Sequence, residues 1–291
     1  MKPCTFEYHR AENLQHACEL LDSCGDDSKI LAGGQTLIAM MNFRLARPKL
    51  LIDISNIADR NQIVDEDGGI RIRATTIQRF VETSAPMRQR FPLLCHAIEH
   101  VAHFQIRNKG TIGGNLVNAD PASELPAMSL AFDAEFEIIS LEGRRTVPAS
   151  DFFVTYYTTA VAANEVLSSI RFAEPPKNSG WGFHEVARRA GDYALAGSSA
   201  IVTLDSAGKC TRARIALFGV AATPVRATAA EDVLIGQTYS EDLVQASARN
   251  VQSVLDPEGD VHVTAAYRRS VAEVLTVRAL DDAFRRVKAV G

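Results

Sequence analysis

Two glycine pairs set far apart constrain this chain more than any other feature: Gly33-Gly34 in LAGGQTL and Gly113-Gly114 in TIGGNLVNADPASELP. Adjacent glycines cost conformational entropy on folding, so they are kept where the backbone needs positive φ or where something must come close. The first pair ends a short apolar run, KILAGG. The second opens a stretch holding Asn115, Asn118, Asp120 and two prolines. Each stretch alone reads as a punctuated turn. Exposed N–H groups in such a turn also form an anion-binding nest, to which Gln35 and Thr36 add side-chain donors. Neither stretch has the GxGxxG or the P-loop spacing, so those two fingerprints do not apply. A diphosphate takes donors from two sides and ligands are often held at domain junctions, so the two turns together point to a dinucleotide-like ligand.

The surrounding pattern is of α+β type. ENLQHACELLD spaces Leu14, Ala17, Cys18 and Leu21 as a helix, with Cys24-Gly25 as its stop. KIL, LLIDIS, GIRIRAT, AEFEIIS and EVLSSIRF read as strands, and TTIQRFVETS, FPLLCHAIEHVAHF and SELPAMSLAFD as helices. PPKNSG permits neither helix nor sheet to continue, which sets a domain boundary near residue 176. Beyond it come three long strands, around WGFHEVARR, GSSAIVTLD and CTRARIALFGV, and then helices. The last helix presents Ala266, Val271, Val274, Leu275, Val277, Leu280 and Phe284 on a broad apolar face. Strands followed by helices make this an antiparallel sheet with helices beside it.

The 291 residues, 46% of them hydrophobic and 23% charged, suit a folded chain of two or three domains. A net charge of −4, with 31 basic and 35 acidic residues interspersed, offers no field for nucleic acid. The N-terminus lacks a signal-peptide core, and no apolar run approaches the ~20 residues that span a bilayer, so the chain reads as intracellular. Five scattered cysteines without a CxxC pair argue against zinc or iron–sulfur ligation by this chain. His96, His100 and His103 share a helix spacing, but no acidic ligand stands in register, and a packed or solvated face explains them better. Hydrolysis has no support, since there is no GxSxG and no Ser/His/Asp arrangement.

Three ordered stretches carry a family resemblance: AGGQTLIAMMNFRLARP, QIRNKGTIGGNLVNADPASELP and RRAGDYALA. In combination they resemble the FAD-binding medium subunit of molybdenum hydroxylases, the group that includes carbon monoxide dehydrogenase and xanthine dehydrogenase, over nearly the whole chain. The resemblance implies an FAD-binding fold of the vanillyl-alcohol-oxidase type in two subdomains, residues 1–57 and 58–175, with a C-terminal α+β domain over 176–291. By motif match, Ala32, Gly33, Gly34, Gln35 and Thr36, with Leu37 following, would cradle the FAD diphosphate from one side. Thr111, Ile112, Gly113, Gly114 and Asn115 would do so from the other. Glu124, with Asp120 as a second candidate, stands where the family places an acid that holds a ribityl or ribose hydroxyl. Tyr193 stands where an aromatic or apolar residue lies near the isoalloxazine, and Leu167 aligns with apolar flavin neighbours. Packing at a strand end explains Tyr193 as well, and a buried strand position explains Leu167. His184 replaces a lysine of the eukaryotic xanthine dehydrogenases, which would make a positive charge beside the flavin conditional on pH; a solvent-facing strand residue is the other reading. Arg188 and Arg189 are further sources of charge nearby.

The activity implied is electron relay within a heterotrimer, which can pair into a dimer of heterotrimers. A large molybdopterin subunit oxidises the substrate, be it carbon monoxide, an aldehyde, a ketone, a purine or an N-heterocycle such as nicotine. The 2Fe–2S clusters of a small subunit pass the electrons on, and FAD on this chain delivers them to an external acceptor. The complex is expected in the cytoplasm, with the inner membrane reachable through the assembly. A stand-alone FAD-dependent oxidase or reductase of the same superfamily is the alternative, and a nucleotide-binding module without redox chemistry a third. AGGQTL holds no His or Cys for covalent flavin attachment, and the C-terminal part leaves little room for a substrate cap.

Overall fold

The structure is a computed structural model describing residues 1–58 and 60–290. Its first unit is a parallel sheet made from β1 (Glu7–Arg10), β2 (Ser28–Leu31) and β3 (Leu50–Asp53), in the order β1-β3-β2. Parallel neighbours need crossovers, which α1 (Leu14–Cys24) and α2 (Leu37–Asn42) supply. Asn13 starts α1 by accepting the His16 N–H at 2.9 Å, and Gly25 ends it at φ 56, where a β-carbon would be strained. Ala17, Cys18 and Leu21 on α1 pack with Ile52 and Ile54 in a small core.

The second unit is an antiparallel sheet, β4-β5-β10-β6-β7. Its strands are β4 (Ile63–Glu66), β5 (Gly69–Arg73), β6 (Glu135–Ser140), β7 (Gly143–Pro148) and β10 (Val166–Ala173). Between β5 and β6 the chain runs through α3 (Gln78–Thr83), α4 (Ala85–Arg90), α5 (Pro92–His100), α6 (Phe104–Arg107), α7 (Ile112–Asn118) and α8 (Glu124–Ala131). The single helix expected from FPLLCHAIEHVAHF is two: α5 stops at His100, and Ala102 at φ 45 turns the chain before α6. Between β7 and β10 lie α9 (Ala149–Phe152) and a small hairpin, β8 (Phe153–Thr155) with β9 (Thr158–Thr159).

The third sheet, β11 (Ser179–Ala187), β12 (Ala194–Leu204), β13 (Cys210–Phe218) and β14 (Val225–Arg226), is antiparallel and covered on both faces. One face of β11 turns Trp181 and Phe183 toward His96 and His100 of α5, ring centroids 4.9–5.6 Å apart. The other face meets α12 (Ala265–Val290), which packs beside α10 (Thr228–Leu234) and α11 (Glu241–Arg249). Gly180 and Gly182 let α12 lie directly on the strand: a β-carbon at Gly182 would stand 2.6 Å from the Ala279 carbonyl carbon. That contact fixes the face of α12. Ala272, Leu275, Ala279, Leu280, Ala283 and Phe284 are buried, while Val274, expected on the apolar face, is exposed. Small residues line the helix because there is no room for larger ones.

A polar seam ties the third sheet to the rest. Asp133, just after α8, receives Arg212 and Arg226 at 2.6 Å and Arg214 at 3.0 Å. Among the described residues no helix is long and apolar enough to cross a membrane.

Candidate functional site

The two glycine stretches stand side by side. Gly33 lies against the backbone of Lys109 and Gly110, so that a β-carbon would be 2.8 Å from Gly110 Cα. A β-carbon on Gly114 would be 3.7 Å from that of Ala32. Between them opens a cleft of about 530 Å³, lined by Ala32, Gly33, Gly34 and Gln35 from one stretch and by Asn108, Lys109 and Thr111 from the other, with Ser55, Asn56 and Arg60 from the segment after β3. Thr36 and Leu37 open α2 behind the turn and do not line the cleft.

The two turns do not contribute alike. At the first, Gly34 takes φ 70, and the N–H groups of Gly33, Gly34 and Gln35 find no acceptor among the described residues. They are the orphan donors that an anion would satisfy. The Gln35 side chain does not reach outward as expected, because its amide donates back to the Gly33 carbonyl at 2.9 Å. At the second, the expected turn is a helix, α7. The Ile112 and Gly113 N–H groups donate to Thr76 and Ala74 carbonyls at 2.8 Å. Gly114 N–H donates to Thr111 Oγ1 at 2.9 Å, and Asn115 N–H to the Thr111 carbonyl. Gly113 is a glycine because α7 rests on Ala74, whose carbonyl oxygen would lie 2.7 Å from a β-carbon there. Ile112 is buried in the core, and Asn115 accepts the Ser123 hydroxyl. From Thr111 to Asn115, Thr111 alone lines the cleft, its Oγ1 accepting the Gly114 N–H.

Two cationic side chains of the cleft were not singled out from the sequence, Lys109 and Arg60. Arg60 is aimed by hydrogen bonds to the Ser55 carbonyl and to Asn56 Oδ1, at 2.9 and 3.0 Å. The signal available was modest: Lys109 directly precedes the GTIGG turn. A cleft with free N–H groups, a hydroxyl and two cations is chemically suited to a diphosphate.

A second group of expected residues lies apart from that cleft. Asp120 and Glu124 are buried at 8% and 5% exposure, Asp120 accepting the Ala122 N–H at 3.0 Å and the Tyr157 hydroxyl at 3.3 Å. Burial raises the Asp120 carboxyl. Burial, and then the neighbouring Glu185, push Glu124 up to about 8. Tyr193 is 60% exposed; partial burial, and then Asp120, push its phenol up to about 12. Two expected residues are placed elsewhere. Leu167 is 3% exposed within the core beneath β10. His184 faces α12 rather than the cleft, its Nε2 3.1 Å from Asp282 Oδ2. The strand alternates, so the next residue, Glu185, is the one turned toward α5 and Glu124.

Comparison with known proteins agrees with this architecture. Residues 4–175 match the model of the FAD binding domain in molybdopterin dehydrogenase, and residues 181–283 that of the CO dehydrogenase flavoprotein C-terminal domain. The chain thus belongs to the family of FAD-binding subunits of molybdenum hydroxylases, the flavoprotein dehydrogenases in which molybdenum and iron–sulfur cofactors reside on partner subunits. More particularly, it is similar to medium chains. It is 37% identical to the carbon monoxide dehydrogenase medium chain of Hydrogenophaga pseudoflava, over 98% of this chain and 99% of that one. It is 41% identical to the 6-hydroxypseudooxynicotine dehydrogenase complex subunit alpha of Paenarthrobacter nicotinovorans, over 99% and 97%. A solved structure of the Hydrogenophaga pseudoflava carbon monoxide dehydrogenase superposes with a TM-score of 0.95, at 38% identity and 98% and 99% coverage.

Proposed function

We propose that this chain is the electron-relay subunit of a molybdenum hydroxylase, holding FAD with its diphosphate in the cleft between the two glycine stretches. The observation that carries the placement is the set of unpartnered N–H groups at Gly33, Gly34 and Gln35, facing Thr111 with Lys109 and Arg60 alongside. The N–H groups and the Thr111 hydroxyl would fix the diphosphate oxygens, and the two cations would offset their charge. Asp120 and Glu124, each with hydrogen-bonding capacity to spare, would take hydroxyl groups of the ribityl chain. Tyr193 would offer a flat face to the ring system. The flavin itself, able to accept electrons singly or in pairs, supplies the redox chemistry. Partners are a small 2Fe–2S subunit and a large molybdopterin subunit.

The substrate is set on the large subunit. Subunits of relatives named for carbon monoxide and for 6-hydroxypseudooxynicotine are comparably similar to this chain, at 37% and 41% identity, which supports a reading in which substrate choice lies on another subunit. The test is direct. The purified chain loaded with FAD should show the visible flavin spectrum and bind one flavin per chain. Lys109→Ala and Arg60→Ala should each weaken retention roughly tenfold, the loss of one charge-assisted contact. A chain that stays colourless after loading refutes the reading, and turnover of an organic substrate by the isolated chain refutes the relay role.

A further inference from the structure

One wall of the cofactor cleft is built from the carboxyl ends of two parallel strands. β2 runs into the first glycine stretch and β3 into Ser55 and Asn56, and the Ile54 N–H donates to the Leu31 carbonyl at 2.9 Å, which ties the two exits together. Ligands of open parallel sheets gather at such ends. Asp53, the last residue of β3, is 7% exposed, and its carboxylate takes two donors. Oδ2 accepts the hydroxyl of Tyr8 on the edge strand β1, and Oδ1 accepts the Ser55 N–H at 2.7 Å. Tyr8 is 53% exposed, so its ring gains little from burial and its hydroxyl is the engaged part. The turn after Asp53 then holds Arg60, whose Nη1 donates to the Ser55 carbonyl at 2.9 Å and to Asn56 Oδ1 at 3.0 Å. Ser55, Asn56 and Arg60 line the cleft, whereas Tyr8 and Asp53 stand behind it. Among the described residues Arg60 has no carboxylate partner, so its charge is left for an anion.

We propose that Tyr8 and Asp53 are positioning residues of the cofactor cleft: they fix the turn that presents Arg60, so that the guanidinium is in place before the diphosphate arrives. The proposal rests on the reading above, in which this cleft takes the FAD diphosphate, and neither residue touches the cofactor. A long side chain ordered in advance loses less freedom when it grips a ligand, an effect of about a few-fold in affinity for one arginine. A carboxylate suits the joint because it accepts from both donors at once and needs no acceptor of its own. Burial alone would raise the Asp53 carboxyl, but the hydrogen bonds from Tyr8 and Ser55 hold it below its ordinary value, so both oxygens stay open to donors near neutral pH. The rival role is a clasp that only fastens β1 to β3. Such a clasp would change stability and act independently of Arg60.

A double-mutant cycle separates the two roles. The full-length chain, stripped of flavin, is titrated with FAD and the dissociation constant read from the change in flavin fluorescence. Tyr8→Phe removes one hydroxyl at an exposed ring and is expected to weaken binding about threefold, against about tenfold for Arg60→Ala. In the double variant the losses should not multiply: without Arg60 the hydroxyl has nothing to position, and the loss should stay near about tenfold instead of reaching about thirtyfold. Asp53→Ala should cost about tenfold by itself and show the same failure to multiply; Tyr8→Phe serves where Asp53→Ala does not fold. A Tyr8→Phe chain that binds FAD like wild type, or losses that multiply in the double variant, overturns the proposal. A wild-type chain that takes up no FAD overturns the reading of the cleft instead.

Discussion

Gly33 and Gly110 stand so close that a β-carbon on Gly33 would come within 2.8 Å of Gly110 Cα. Backbone faces backbone here, and neither side has a flexible tip that can move away. Gly33→Ala is therefore expected to push the first turn off the second, costing about 1–3 kcal/mol through overpacking. The shift widens the cleft where the diphosphate would sit. The expected outcome is a folded chain with a lowered melting temperature and a flavin content well below that of wild type. Visible absorbance against protein concentration reads the second effect, and a thermal scan the first.

A comparable contact holds α12 in place. Gly182→Ala would set its β-carbon 2.6 Å from the Ala279 carbonyl carbon, inside a helix that cannot retreat without giving up Leu280 and Phe284 from the core. The expected loss is about 3 kcal/mol, the upper part of the overpacking range, because the obstructing atoms belong to the helix backbone. Urea unfolding should show a lowered midpoint with an unchanged slope.

These contacts show what the sequence could and could not disclose. The two glycine pairs stand out in the letters, and the fold sets them side by side. Their unlike roles were hidden, because whether an N–H group is free depends on partners far along the chain: Ala74 and Thr76 engage Gly113 and Ile112. The helix α7 was read as a turn since two glycines in seven residues lower helix propensity, which packing against Ala74 outweighs. His184 was read as lying beside the flavin or facing solvent, whereas it turns to α12 and Asp282, and its neighbour Glu185 turns to α5. On a strand buried on both faces, the alternation that would fix the register is weak, and a step of one residue moves a side chain from one face to the other. The strand around GIRIRAT was legible because it alternates and buries mainly one face, that around LLIDIS because its apolar run is buried throughout, and the helix from ENLQHACELLD because it ends at glycine.

Asp133 makes the polar seam a stability determinant. Burial alone would raise its carboxyl, and the guanidinium groups of Arg214, Arg226 and Arg212 outweigh that and hold it below its ordinary value. Its folded-state affinity for a proton is thus lower than in the unfolded chain, so the seam contributes fully above the unfolded pKa of about 4 and is lost as pH falls below it. Asp133→Asn is expected to cost about 1–2 kcal/mol near neutral pH, less than a fully buried pair because the carboxylate is one-third exposed. Urea titrations at neutral pH and at pH of about 3 should show the difference between variant and wild type shrinking in acid. Added salt should shrink it in part as well.

Glu124 works in the opposite sense. Burial first, and Glu185 second, raise its carboxyl to about 8, so the folded chain keeps a proton that the unfolded chain releases at about 4.3. Below the unfolded value both states are protonated and nothing is lost. As pH climbs from there toward the folded value, the unfolded state alone ionises, and stability drains away until the folded carboxyl finally ionises too. Glutamine keeps the shape and cannot ionise, so Glu124→Gln should resemble wild type at pH of about 4 and exceed it above about 8, by an amount on the order of a few kcal/mol. Chemical unfolding of both chains across that range measures it. Parallel stability curves would mean that Glu124 is already ionised in the folded chain at neutral pH.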